Sequence, residues 1–76
     1  MGELLDYLAR RLVDEPDAVR VEELEEDDAL VLRLHVAPDD LGKVIGRRGR
    51  LARSLRIVAR AAGARPNRRV VLEIAE

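Results

Sequence analysis

Gly42-Lys43-Val44-Ile45-Gly46-Arg47-Arg48-Gly49-Arg50 is the stretch of this 76-residue chain whose residue types and spacing suggest a chemistry. Gly46 and Gly49 bracket two arginines. Glycine lets a chain turn tightly and lets a ligand approach the backbone with no Cβ in the way. A helix is predicted to start directly after the loop, so its free N–H groups and the positive end of its dipole face whatever lies against it. Arg47 and Arg48 add full charges. Together these parts make a device for holding a phosphate backbone.

Other phosphate-binding loops fit less well. A P-loop needs G-x-x-x-x-G-K-[ST], whereas Val44 follows Gly42-Lys43 here. A dinucleotide fingerprint needs G-x-G-x-x-G after a strand, and Gly46 and Gly49 supply only G-x-x-G after a helical pattern. A helix-hairpin-helix loop usually carries an apolar residue between its glycines; these flank two arginines.

Composition excludes most catalytic chemistry. The chain has no Cys, one histidine (His35), one hydroxyl-bearing aliphatic side chain (Ser54) and one aromatic residue (Tyr7). Disulfides, thiolate metal sites, a Cys nucleophile and Ser/His/Asp catalysis lack their residues. No metal or organic cofactor is expected, and the chain does not read as an enzyme. RNA modules that stack bases on Phe, Tyr or Trp lack their tools as well. No apolar run approaches the roughly 18 residues of a membrane span, and Glu3 and Asp6 stand where a signal peptide would be positive. A cytoplasmic protein is the expectation.

The formal net charge is only −1, with 14 basic and 15 acidic residues. That average hides two unlike halves. Residues 1–40 hold 13 carboxylates and four arginines, net −9, whereas residues 41–76 hold ten basic side chains and two carboxylates, net +8. No carboxylate occurs from Lys43 to Arg69. A bulk balance near zero argues against a polyanionic partner; the local balance argues for one.

The elements that must position the loop follow from periodicity. Leu4, Leu5, Leu8 and Leu12 fall at helical spacing, which predicts a helix over 3–14 stopped by Glu15-Pro16-Asp17. Val19 and Val21, then Leu30, Leu32, Leu34 and Val36, alternate with charge. With Glu25-Glu26-Asp27-Asp28 as the turn, they predict a β-hairpin with one buried face. Pro38-Asp39-Asp40 opens a short helix with an aspartate as N-cap, interrupted by Gly46 and Gly49. A longer helix follows with Leu51, Leu55, Val58 and Ala62 on one face, Arg53, Arg56 and Arg60 on another, and Gly63 as its C′ residue. Ala64-Arg65-Pro66-Asn67 reads as a loop, and Val70, Leu72 and Ile74 as a last strand. The order α-β-β-α-α-β predicts an α+β domain spanning 1–76: a three-stranded mixed sheet with three helices on one face. The 31 residues between the second and third strands permit a crossover to a parallel strand.

On these residues the chain resembles a known family. Lys43 to Gly49 is similar to the I-G-x-x-G signature of KH domains, and the element order resembles their type II, bacterial arrangement. Length, the Asp40 to Gly46 approach and the Arg50 to Leu55 continuation resemble the small single-KH-domain bacterial RNA-binding proteins of the KhpA (YlqC-like) family. The resemblance implies binding of about four single-stranded RNA nucleotides, backbone against the G-x-x-G loop and bases over an apolar groove. By position, Gly46, Arg47, Arg48 and Gly49 would be the clamp, with Ile45 and the next helix helping to form the groove. The loop from Gly63 to Arg68, basic through Arg65 and Arg68, would be the far rim. The resemblance also implies self-association and pairing with a larger protein of the KhpB (Jag) type.

Lys43, one turn before the loop, and Arg50 and Arg53, just after it, join the RNA-contact set. Arg60 lies farther off. His35 reads as a surface histidine, Tyr7 as cover for the core edge or a partner surface, and Glu22 to Asp28 as a solvated hairpin. Two functions follow: an RNA-binding protein of post-transcriptional regulation or RNA-chaperone type, or a KH-fold dimerisation or adaptor module working through protein partners.

Overall fold

The computed structural model describes residues 2–62 and 69–75. Helix α1 spans Glu3–Leu12 and is amphipathic, with Leu5 and Ala9 buried, Leu8 packed against the core and Leu4 and Tyr7 in solvent. An Asp6–Arg10 ion pair of 2.7 Å links successive turns. The same guanidinium donates to the carbonyls of Pro16 at 3.0 Å and Val19 at 3.3 Å, fastening α1 to the chain entering the sheet. The helix ends two residues earlier than its leucine spacing predicts. Val13 is already extended (φ −104°, ψ 163°), because the amides of Asp14 and Glu15 are held by a distant carboxylate.

Strands β1 (Arg20–Glu26) and β2 (Ala29–His35) form the antiparallel hairpin, and β3 (Arg69–Ile74) pairs with β2 in parallel, in the order β1-β2-β3. The amide of Arg69 donates to Asp28 O and that of Ala75 to Leu34 O, bracketing the parallel pairing. Glu25 and Glu26 lie within β1, so the turn is only Asp27-Asp28 rather than the whole acidic stretch.

Leu30, Leu32 and Leu34 of β2 with Val70 and Leu72 of β3 form the helix-facing side of the sheet. The expectation of one buried face fails for β2, where Ala29 to Leu32 are all buried. Val31 is only 5% exposed although it points away from the helices. As a residue of the central strand it is flanked by Leu24 on β1 and Val71 on β3. Cross-strand neighbours cover it where no helix does.

Helices α2 (Leu41–Ile45) and α3 (Arg50–Ala62) complete the layer, giving the α+β arrangement of three helices on one face of a mixed sheet. Val44 is completely buried and anchors α2. In α3 the buried stripe is Ala52, Leu55 and Ala59, rotated from the predicted Leu51-Leu55-Val58-Ala62 face. Leu51 and Val58 are half-buried and line a groove shared with Leu8 and Leu12 of α1. Small residues at 52 and 59 let the helix backbone approach the sheet closely.

Asp40 stands at the N-cap position of α2 but makes no side-chain cap. Its carboxylate, 2% exposed, instead accepts the Asp14 and Glu15 amides at 3.3 and 3.1 Å. Two main-chain donors across the fold outcompete the local cap and satisfy the buried carboxylate, which left without partners would cost at least about 1–3 kcal/mol. Asp40 thus ties the exit of α1 to the entry of α2. The sequence expectations for Gly63 as a C′ residue, for the 64–67 loop and for the basic rim from Gly63 to Arg68 lie outside the described residues. Among the described residues no helix is long and apolar enough to cross a membrane.

Candidate nucleic-acid interface

α2 is five residues long because the chain reverses at Gly46. The Gly46 amide donates to Gly42 O at 3.0 Å, and Gly46 itself sits at φ 74°, ψ 175°, a conformation that side chains with a Cβ do not adopt readily. A single 3-10 turn, Arg47–Gly49, follows, closed by the Gly49 amide on Gly46 O at 3.2 Å. Arg48 (φ 58°) and Gly49 (φ 73°) are left-handed as well. Three positive-φ residues in four positions turn α2 into α3 within one short loop.

The corner is tight for a packing reason. A Cβ placed on Gly46 would lie 2.7 Å from Leu51 Cβ and 3.1 Å from Leu51 N, so α3 packs directly on the glycine. Leu51 is therefore part of the site's architecture, a role its place in the leucine pattern gave no sign of. A Cβ on Gly49 would meet nothing within 4 Å. Gly46 is required by space and backbone together, Gly49 by backbone alone.

The structure places the sequence-selected residues along one continuous stretch. Ile45 is half-buried at the end of α2, Arg47 and Arg48 are exposed on the loop, and Arg50 and Arg53 are exposed on the first turns of α3. Among the described residues no ion pair or side-chain hydrogen bond engages the guanidinium of Arg47, Arg48, Arg50, Arg53, Arg56 or Arg60. Lys43 differs. Its Nζ lies 3.3 Å from Asp14 Oδ2, so its charge is shared with the chain leaving α1. Sequence spacing could not reveal that pair, 29 positions apart.

The acidic half is arranged oppositely. On the open face of the sheet Arg33 pairs with Glu73 at 3.1 Å, and Glu22 is bonded to His35 with Arg20 3.7 Å away. The His35 hydrogen bond is the main cause holding the Glu22 carboxyl below the ordinary carboxylate range. His35 is thus a half-buried surface histidine with a carboxylate partner. Tyr7, 57% exposed on α1, has the Arg11 guanidinium 5.6 Å from its ring centroid. No group of three or more His, Asp or Glu side chains among the described residues is placed to hold a metal ion.

A groove of ≈ 400 Å³ lies between α1 and α3, lined by Leu8, Arg11, Leu12, Leu51, Ser54, Leu55 and Val58. Periodicity assigned most of these apolar residues to the core; the rotation of α3 leaves several of them facing this cleft instead.

Comparison with known proteins agrees with this fold. A family model described as KhpA/KhpB, KH domain matches residues 2–74. The chain is 49% identical over 74 residues to the RNA-binding protein KhpA of Clostridium acetobutylicum, covering 97% of this chain and 99% of that one. It is 47% identical over 76 residues to the protein of that name from Aquifex aeolicus, covering 100% and 96%. Against that of Borreliella burgdorferi the identity is 44% over 72 residues, covering 95% and 88%. No solved structure matches.

Proposed function

The chain belongs to the KhpA/KhpB KH-domain family, and from that premise we propose that it is a non-enzymatic protein that holds single-stranded RNA by its phosphate backbone at the Gly46–Gly49 loop. The observation that carries this reading is the loop: a left-handed corner with two exposed arginines that no carboxylate neutralises among the described residues. The names of its relatives as RNA-binding proteins support it.

In this reading Gly46, Arg47, Arg48 and Gly49 form the clamp. Arg50 and Arg53 extend it, and half-buried Ile45 gives the bases an apolar edge. Lys43 contributes by exchanging Asp14 for a phosphate. Contacts of this kind position a strand without reading its sequence. The protein accordingly works as one KH domain in the bacterial cytoplasm, in post-transcriptional regulation or as an RNA chaperone.

With three or four phosphates neutralised, log affinity against log salt is expected to fall with a slope of about −2 to −3. Titrating a labelled short single-stranded RNA at several salt concentrations measures it. A slope near zero would remove the electrostatic basis of the clamp.

The α1–α3 groove favours a second reading, a KH-fold adaptor acting through self-association or through a larger KhpB (Jag)-type partner. Sedimentation with and without RNA separates the two: a stable dimer that shifts no RNA at low salt supports the adaptor.

A further inference from the structure

We infer that the outward face of α3 is a second phosphate track that carries a single strand on from the loop, so that the preferred RNA is longer than the loop alone can hold. The inference rests on the RNA-binding reading above. α3 begins directly after the loop, and at 1.5 Å per residue its ten steps from Arg50 to Arg60 extend about 15 Å away from it. Arg53, Ile57 and Arg60 follow one another at i, i+4 and i+7 and make one stripe, with Arg50 and Arg56 on its two sides. All five are exposed, and Ile57 is 61% exposed. The buried residues Ala52, Leu55 and Ala59 lie on the opposite side of the helix, so the stripe takes no part in the core.

This face differs from an ordinary solvated one, as α1 shows. There both signs are present, Glu3 and Asp6 in the first turn and Arg10 and Arg11 in the last, and Asp6 and Arg10 pair at 2.7 Å. α3 carries four arginines and no carboxylate. Arg50 and Arg53, Arg53 and Arg56, and Arg56 and Arg60 are neighbours at i+3 or i+4, where like charges repel. Arg50 and Arg53 also stand near the positive end of the helix dipole, which disfavours cations. Arg60, in the last turn, suits the dipole, but the like-charge neighbours and the two arginines at the start work against the helix, and a polyanion lying along the stripe relieves both. Ile57, at its centre, offers the apolar contact on which a ribose or the face of a base can rest. The stripe joins the loop with no carboxylate intervening in the sequence from Leu41 to Leu72.

The test compares oligouridylates of four and twelve nucleotides on the wild-type protein and on the R56E/R60E variant, with R56K/R60K as the charge-retaining control. The wild type is expected to bind the twelve-mer with a salt slope steeper than for the four-mer by about 1.4, two further phosphates at roughly 0.7 each. R56E/R60E is expected to lose that extra slope and at least about tenfold in affinity for the twelve-mer, and to bind the four-mer within about twofold of wild type. R56K/R60K keeps the steeper slope. Equal slopes for both lengths on the wild type, an equal loss on both lengths in R56E/R60E, or no loss on the twelve-mer overturns the track while leaving the clamp standing. A wild-type protein that binds neither length overturns the RNA-binding reading itself, and the track with it.

Discussion

Replacing Arg47 and Arg48 together with aspartate is expected to weaken binding of a short single-stranded RNA by at least about 100-fold, with the fold intact. The magnitude follows from what is removed. Each guanidinium can make a hydrogen bond to a charged phosphate, a contact worth about 1.5–3 kcal/mol, and two of them correspond to a factor of 100 or more. The new carboxylates then repel the backbone they replace. Neither arginine contributes to the core: both are exposed and neither has an ion-pair partner among the described residues. Aspartate tolerates the left-handed conformation of Arg48 (φ 58°) better than most residues, so the backbone is not penalised. The melting temperature should therefore move by less than about 4 °C, the range of an ordinary surface change. Fluorescence anisotropy and a thermal melt on the same preparation decide it. Unchanged affinity in a folded double variant would remove the clamp from the loop.

Gly46→Ala is expected to produce the largest loss of stability of any change in the loop, about 3 kcal/mol. Two independent costs add. The φ 74°, ψ 175° conformation belongs almost wholly to glycine, and the new Cβ would stand 2.7 Å from Leu51 Cβ and 3.1 Å from Leu51 N. The obstruction includes main chain at the start of α3, so no flexible side chain can move aside. For a chain of this length, with a total stability of roughly 4–11 kcal/mol, such a loss lowers the melting temperature by about 12–24 °C. Gly49→Ala meets only the conformational penalty of its φ of 73°, about 1–2 kcal/mol. Gly42→Ala meets nothing within 4 Å and sits in a helix, where alanine is favoured by about 0.5–1 kcal/mol. The order 46, 49, 42 in urea unfolding tests the packing argument; equal losses at 46 and 49 would refute it.

The parts of the fold legible in the sequence are those with a local cause. Leu30, Leu32 and Leu34 alternate because one side of β2 faces helices, and Val70, Leu72 and Ile74 do so for the same reason. The corner between α2 and α3 was legible because glycines at that spacing allow the positive φ that the turn requires. What escaped depends on contacts between distant segments. Asp39-Asp40 reads as a helix start with an aspartate cap, yet the Asp40 carboxylate satisfies amides 25 and 26 positions earlier. Val31 reads as exposed by alternation and is covered by Leu24 and Val71 on neighbouring strands. The stripe of α3 reads as leucine-led, whereas Ala52, Leu55 and Ala59 meet the core. That rotation turns Leu51 and Val58 toward α1 and creates the groove. Lys43 reads as a member of the RNA-contact set and is paired with Asp14. In each case a tertiary partner decided where the side chain went.

The near-zero net charge gains a spatial meaning from the same comparison. Ion pairs among the described residues draw on carboxylates of β1, β3 and α1 and the chain that follows it, and they leave the arginines of the loop and α3 unpaired. On the function proposed above, a strand of RNA is expected to be drawn to the loop and α3 and kept off the hairpin from Glu22 to Asp28.

Nuclear magnetic resonance on the uniformly 15N-labelled protein, titrated with a short single-stranded RNA at low salt, tests the central claim most directly. The largest amide shifts are expected from Gly46 to Arg53, with smaller ones at Lys43 and Ile45 and none across Glu22 to Asp28. Shifts concentrated on the sheet or on α1, with the Gly46–Gly49 amides unmoved at saturating RNA, would contradict it.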